Sequence, residues 1–223
     1  MKRLFITSVF FLLLMISTQT AARAGSIIKF RPIDPSLTNS LRQGGYILYV
    51  RHGEATVGED QLNLRFNDCS TQRNLSEAGK RQAENFGESL RDLRIPVQIP
   101  VLASPFCRTR ETAELAFGEN NVQTDPFWVN VYHLSNTLSP AEQQSTLDAL
   151  SSILETLPFP KTNKVIIAHS FPKGVGLGEI TNLGTVVIKP RGQGNGYEIV
   201  GQFTLNELLS QRLTKTFVPD AGY

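Results

Sequence analysis

Gly45-Tyr46-Ile47-Leu48-Tyr49-Val50-Arg51-His52-Gly53 is a run of strand formers that ends on an arginine and a histidine and is released by a glycine. A short, continuously apolar run of this kind suits a strand buried on both faces, as in the middle of a parallel sheet. Lys164-Val165-Ile166-Ile167-Ala168-His169-Ser170 repeats the pattern far downstream, again closing on a histidine followed by turn formers. Between them, Val97 to Leu102 gives a third strand candidate. It runs through Ala103-Ser104-Pro105-Phe106-Cys107-Arg108 into a helical reading over Thr109 to Phe117.

Helical patterns separate these strands. From Ser76, a candidate N-cap, the apolar positions Ala83, Phe86, Leu90 and Leu93 recur at three and four residue steps. Leu147, Leu150, Leu154 and Leu157 do the same between Pro140 and Pro158. Strands alternating with helices predict a single three-layer α/β domain, with a mostly parallel sheet and helices on both faces. Thr185 to Ile188 and Tyr197 to Phe203 are joined only by Gly192-Gln193-Gly194-Asn195-Gly196. That loop is too short for a parallel crossover, so the pair reads as a C-terminal antiparallel hairpin. No Lys-Ser or Lys-Thr and no helix follow it, which argues against a nucleotide cradle.

The chain divides into four parts. Met1-Lys2-Arg3, an apolar stretch from Leu4 to Ile16, and Ala22-Arg23-Ala24 read as a removed signal peptide over residues 1–24. The expectation is export to a periplasmic or extracellular location, with no stable membrane span once the peptide is gone. Residues 25–44 read as an N-terminal lead-in, extended over Gly25 to Asn39 with Pro32 and Pro35, 45–213 as the folded domain, and 214–223 as an irregular tail. Cleavage takes Lys2, Arg3 and Arg23 from the 22 basic residues and leaves 19 against 20 acids. A nearly neutral chain without clustered basic residues predicts no nucleic-acid partner. Cys69 and Cys107 are the two cysteines. In an oxidising compartment a bridge between them is expected over two separately buried thiols.

The strand-end residues suggest a chemistry. A neutral imidazole carries a ring lone pair that can attack phosphorus, and a guanidinium presents planar donors matched to phosphate oxygens. In open α/β sheets, ligand-contacting groups gather beyond the carboxyl ends of the strands. His52, Arg51, Arg108 and His169 are therefore predicted to meet around one oxyanion.

Over residues 45 to 205 the chain resembles the histidine phosphatase superfamily, the phosphoglycerate-mutase-like group. The resemblance rests on Arg51-His52-Gly53, Asn74-Leu75-Ser76-Glu77-Ala78-Gly79, Ser104-Pro105-Phe106-Cys107-Arg108 with Thr112-Ala113, and His169 after its strand. It implies transient phosphorylation of His52, phosphoryl binding by Arg51, Arg108 and His169, a small phosphorylated substrate, and no metal or other cofactor. An exported phosphatase is the leading expectation. A phosphoglycerate-mutase-type phosphotransferase and a non-catalytic phosphate-binding protein are the alternatives.

The chain departs from the family pattern at the proton donor. Ser170 stands where one branch has an aspartate, and Pro126 to Ser139 lacks the glutamate of the other. Glu54, Glu111 and Glu179 are candidates by nearness in sequence, and His133 reads as a packed ring. Without an acid, substrates whose leaving group departs easily are favoured: phenolic esters, phosphoamidates or phosphoanhydrides.

Overall fold

The computed structural model describes residues 33–135 and 138–217, so the signal-peptide reading and the end of the tail lie outside the described residues. Along the chain come α1 (Pro35–Gln43), β1 (Ile47–Arg51), β2 (Ala55–Val57), β3 (Asn74–Leu75), α2 (Glu77–Asp92), β4 (Val101–Ala103), α3 (Cys107–Phe117), β5 (Val122–Thr124), α4 (Phe127–His133), α5 (Pro140–Glu155), β6 (Lys164–Ala168), β7 (Thr185–Pro190), β8 (Tyr197–Phe203) and α6 (Leu205–Phe217).

Six strands form one sheet in the order β5-β4-β6-β1-β7-β8. The first four are mutually parallel, and β7 and β8 run antiparallel, as the hairpin reading anticipates. Alternation along β1 assigns its two faces. Leu48 and Val50 join a core with Leu41 of α1, Phe86 and Leu90 of α2, Ala113 and Ala116 of α3, and Leu208 of α6. Ile47 and Tyr49 point the other way, to Trp128 and Val131 of α4 and to Leu150 and Leu154 of α5. These are the three layers predicted, and they bury Ile47 to Val50 of β1 completely on both sides, as its unbroken apolar run requires.

The Ser76 cap is present: its hydroxyl accepts from the Gly79 amide and starts α2. Close approach matters twice on this helix. A Cβ at Gly87 would overlap the Ala116 carbonyl of α3, and one at Gly79 would overlap the Glu54 carbonyl just past β1, so both positions admit only glycine.

Four readings need correction. The lead-in is not extended over its last part: Asp34 caps α1 through the Leu37 amide, Pro35 occupies the first turn where its missing N–H costs nothing, and Leu41 is buried. The tail is helical as far as Phe217 because α6 continues through 214–217. Leu157 is exposed, since α5 ends at Glu155 and the chain leaves the helix before that position. The third strand is only Val101–Ala103; Val97 makes an isolated bridge to Asn163. Buried Asn163 stitches this region, its amide donating to Leu41 O and Pro96 O while its oxygen accepts from the Tyr46 amide.

Candidate active site

Three parallel strands deliver their next residues side by side. Arg51 pairs with Ala168 and Ala103 with Ile167, and the continuing amides still bond across: His52 N to Ala168 O, Ser104 N to Ile167 O. His52, His169 and Ser104 therefore leave the sheet at one edge. The two imidazoles meet with ring centroids 5.6 Å apart, and the Ser104 hydroxyl is 3.1 Å from His169 Nε2. Arg108 arrives from the first turn of α3, and the helix entry is held by Gln72, which accepts from the Cys107 amide. The four residues singled out in the sequence thus surround one small volume.

The His52 ring is oriented by its own loop. Its Nδ1 is 2.7 Å from the Gly53 carbonyl, which can only accept, so Nδ1 carries the proton and Nε2 keeps its lone pair. Gly53 is itself anchored, its amide donating to Thr112 Oγ1, while Thr112 donates to the Arg108 carbonyl. Burial first, then the charge of Arg108, lowers the His52 pKa to about 3 against the Gly53 carbonyl, which acts to raise it. Burial and the neighbouring charges also hold His169 well below its ordinary value. At neutral pH both rings are neutral, the state a nucleophile needs.

The two arginines carry buried donors that are only partly used. Arg51 spends Nη1 on the Ile180 carbonyl, and its Nε is buried with no partner among the described residues. Arg108 is fully buried; its Nη1 donates to Asp60 and to the Arg73 carbonyl, while Nε and Nη2 have no described partner. Unpaired buried donors of a charged group are costly, which makes this cluster a strong acceptor site for an oxyanion. Arg73 belongs with them, since its charge acts on His52, Arg51 and Arg108 alike.

Asp60 is the carboxylate that reaches the cluster. Its Oδ1 accepts from Arg108 Nη1 at 2.9 Å and from the Arg73 amide, and its Oδ2 accepts from the Tyr132 hydroxyl at 3.1 Å. Burial acts to raise the Asp60 carboxyl, but the Arg73 amide and the Arg108 charge outweigh it and leave it below its usual value, hence ionised. The site is closed around these groups: His52 is 3% exposed, His169 4% and Arg108 0%.

Of the donor candidates read from sequence proximity, two have partners outside the cluster and the third is exposed. Glu54 accepts from the Ser76 hydroxyl at the start of α2, Glu111 lies 3.9 Å from Lys80, and Glu179 is exposed. Ser170 accepts from the Ile180 amide and shapes the following loop. His133 is half-buried at the end of α4, with its ring against Tyr132. Sequence reasoning missed Asp60, Arg73 and Tyr132. Arg73 stands directly before the Asn74-Leu75-Ser76 motif and was open to notice there; Asp60 and Tyr132 sit in stretches without period or motif.

Cys69 and Cys107 are joined by a disulfide, their Cα atoms 5.7 Å apart. It ties the loop that bears Asp60 and Arg73 to the start of α3. Among the described residues no group of three or more His, Cys, Asp or Glu side chains is disposed to hold a metal ion, and no helix is long and apolar enough to cross a membrane.

Residues 47–129 match the family model of the histidine phosphatase superfamily (branch 1). Among solved structures, the protein histidine phosphatase SixA complexed with tungstate is 17% identical, covers 73% of this chain and 99% of its own, and gives a TM-score of 0.49. A phosphoserine phosphatase of Entamoeba histolytica in complex with 3-phosphoglyceric acid is 16% identical over 73% of this chain and 98% of its own, with a TM-score of 0.47. A mycobacterial glucosyl-3-phosphoglycerate phosphatase is 17% identical over 65% and 90%, with a TM-score of 0.43. No curated protein matches the chain.

Proposed function

We propose that this chain is a member of the histidine phosphatase superfamily, whose family model matches residues 47–129, and that it is an exported phosphatase that hydrolyses phosphomonoesters through a phosphohistidine on His52. The observation that carries the reading is the His52 ring, fixed with Nδ1 on the Gly53 carbonyl so that Nε2 keeps its lone pair, beside Arg51 Nε and Arg108 Nε and Nη2, buried donors without a partner among the described residues. In the first step the Nε2 lone pair forms a bond to phosphorus, the bond to the leaving oxygen breaks, and that oxygen keeps the electron pair. In the second step water attacks phosphorus, the P–N bond breaks, and the ring recovers its lone pair as phosphate departs. Arg51, Arg108 and His169 bind the phosphoryl oxygens, and each charge-assisted contact contributes on the order of 1.5–3 kcal/mol as charge builds. No metal takes part.

A phosphoryl group entering the site competes with Asp60 for Arg108 Nη1. While Asp60 is paired there it is ionised, so it does not stand as an acid ready to protonate the leaving oxygen. Leaving groups stable as anions are favoured for that reason.

Export is supported by the N-terminal charge and hydropathy pattern and by the Cys69–Cys107 bridge, since disulfides persist in oxidising compartments. N-terminal sequencing of the chain recovered from outside the cytoplasm is expected to begin at Gly25.

The test of activity is phosphate release from p-nitrophenyl phosphate, with and without chelator, in the wild type and in His52→Ala. Turnover that persists in chelator and vanishes in His52→Ala supports the reading. Turnover that persists in His52→Ala, or that chelator abolishes, rejects it. Phosphate binding without turnover on a broad substrate panel would favour a binding protein instead. The closed state of the site, with Asp60 on Arg108, is the observation on that side.

A further inference from the structure

Beside the cluster lies a cavity of about 540 Å³, whose apolar wall is Leu62, Leu64, Phe66, Phe106 and Tyr132 and whose polar lining is Asp60, Gln61, His133 and Ser135. We propose that it holds the leaving group of the substrate, and that the site takes phosphate esters of aromatic alcohols. The proposal rests on the phosphatase reading above and adds the substrate class to it.

Position is the first argument. Phe106 and Tyr132 belong both to the cavity wall and to the catalytic cluster: their ring centroids lie 4.9 and 5.2 Å from that of His169, and the Arg108 guanidinium sits 4.4 Å from the Phe106 centroid. The Asp60 carboxylate lines the cavity and is held between Arg108 and Tyr132, so it links the cavity to the guanidinium. A phosphoryl group seated on Arg108 in place of Asp60 would have its ester oxygen directed into this space.

The lining is the second. Phe66 packs edge-on to Phe106 with centroids 5.1 Å apart, and Phe106 is tilted on Tyr132 at 4.6 Å. These rings form a ladder, which a further planar ring extends with favourable edge-to-face geometry, while an alkyl chain gains only burial. At the rim, Phe66 and Leu62 present apolar surface to solvent, which an aromatic occupant would cover. A cavity of this size holds a one-ring or two-ring group.

Chemistry is the third, and it is independent of shape. A phenol ionises near pH 10, far below an alkyl alcohol, so a phenolate leaves without a donated proton. In the step proposed, the His52 Nε2–P bond forms, the P–O(aryl) bond breaks, and the electron pair stays on the aryl oxygen. A site whose Asp60 carboxylate is ionised is matched to that leaving group.

Aryl esters react faster at any phosphatase, so the test reads binding, not rate. Benzylphosphonate, cyclohexylmethylphosphonate, ethylphosphonate and inorganic phosphate are titrated calorimetrically into the processed protein and into Phe66→Ala. Phe66 is partly exposed and its truncation leaves both cores intact. Benzylphosphonate is expected to bind at least about tenfold tighter than ethylphosphonate and tighter than the cyclohexyl compound. Phe66→Ala removes most of that advantage, with inorganic phosphate, which fills only the cluster, as the reference in each protein.

Equal affinities for the benzyl and ethyl compounds, a cyclohexyl compound as good as the benzyl one, or an advantage undiminished in Phe66→Ala would each overturn the proposal. Turnover of p-nitrophenyl phosphate with no such ranking rejects the pocket alone. The ranking without turnover rejects the phosphatase reading and leaves the pocket standing. Free phosphotyrosine and phosphotyrosine within a short peptide, compared in the same titration, separate a small aryl phosphate from a modified protein as the source of the ring.

Discussion

Asp60 Oδ1 lies 2.9 Å from Arg108 Nη1, and the arginine side chain of the pair is fully buried. An intrinsic carboxylate thus occupies one of the donors that the proposed mechanism gives to the phosphoryl group. Asp60→Asn removes the competing charge while keeping an oxygen for the Arg73 amide; its NH2 takes the place of Oδ2 and donates to the Tyr132 hydroxyl oxygen, reversing that hydrogen bond. Inorganic phosphate is expected to bind about tenfold tighter to this variant, a gain of about 1.4 kcal/mol. Isothermal titration reads it directly. Weaker binding would mean that Asp60 orients Arg108 and does not compete for it.

Stability is expected to fall as pH drops from 6.5 toward 4. His52 is held at about 3 in the folded chain, from an ordinary 6.5, by burial first and by Arg108 next. Below 6.5 the unfolded chain binds a proton that the folded chain refuses, so the contribution is whole above 6.5 and is lost progressively toward 3. His169 acts in the same direction. Asp60, lowered from 3.8, contributes above that value and loses its share only below it, so it stays out of this window. Melting temperatures of the wild type and His52→Asn across pH 7 to 4 are the check: the variant should show the shallower decline, and equal slopes would contradict the assignment.

Much of this architecture could be read from the letters, because the strands that carry the site are buried on both faces and hence continuously apolar. Ile47 to Val50 and Val165 to Ala168 needed no partner to be recognised, and the histidine that ends each one marks the functional edge of the sheet. What stayed hidden has physical causes. β5 and the pair β2 and β3 are two or three residues long, too short for any period to show. α4 offered no amphipathic stripe over its seven residues, yet it carries Tyr132. Asp60 sits in a polar loop, where only the folded path of the chain brings it to Arg108.

The Cys69–Cys107 bridge is expected to support the site as well as the fold. It closes a loop with a sequence separation of 38 residues and fixes that loop to the helix turn carrying Arg108. In the chain-entropy account, the Cys69→Ser/Cys107→Ser variant should lose about 3–4 kcal/mol of stability. Because Asp60 and Arg73 lie on the tethered side, its affinity for inorganic phosphate should fall as well. Denaturant unfolding and calorimetric titration report the two effects separately. Lowered stability with unchanged phosphate affinity would confine the bridge to the fold.

Gly79 offers a test whose sign is decisive. In the first turn of a helix, alanine is the better residue by intrinsic propensity, by up to about 1 kcal/mol, so Gly79→Ala would stabilise an unencumbered α2. Here the added Cβ meets the Glu54 carbonyl, and the Gly79 carbonyl in turn faces Gly53 at 2.7 Å from where a Cβ on that residue would stand. Those main chains are rigid: Glu54 O accepts from the Ser76 amide, and Gly53 is held by Thr112. The clash cannot be relieved by a rotamer change, so the backbone after β1 must shift, and His52 with it. Gly79→Ala is therefore expected to destabilise by about 1–3 kcal/mol and to lower kcat together with phosphate affinity, measured by urea unfolding and steady-state kinetics. A stabilised variant with normal turnover would mean that α2 does not hold the His52 loop in place.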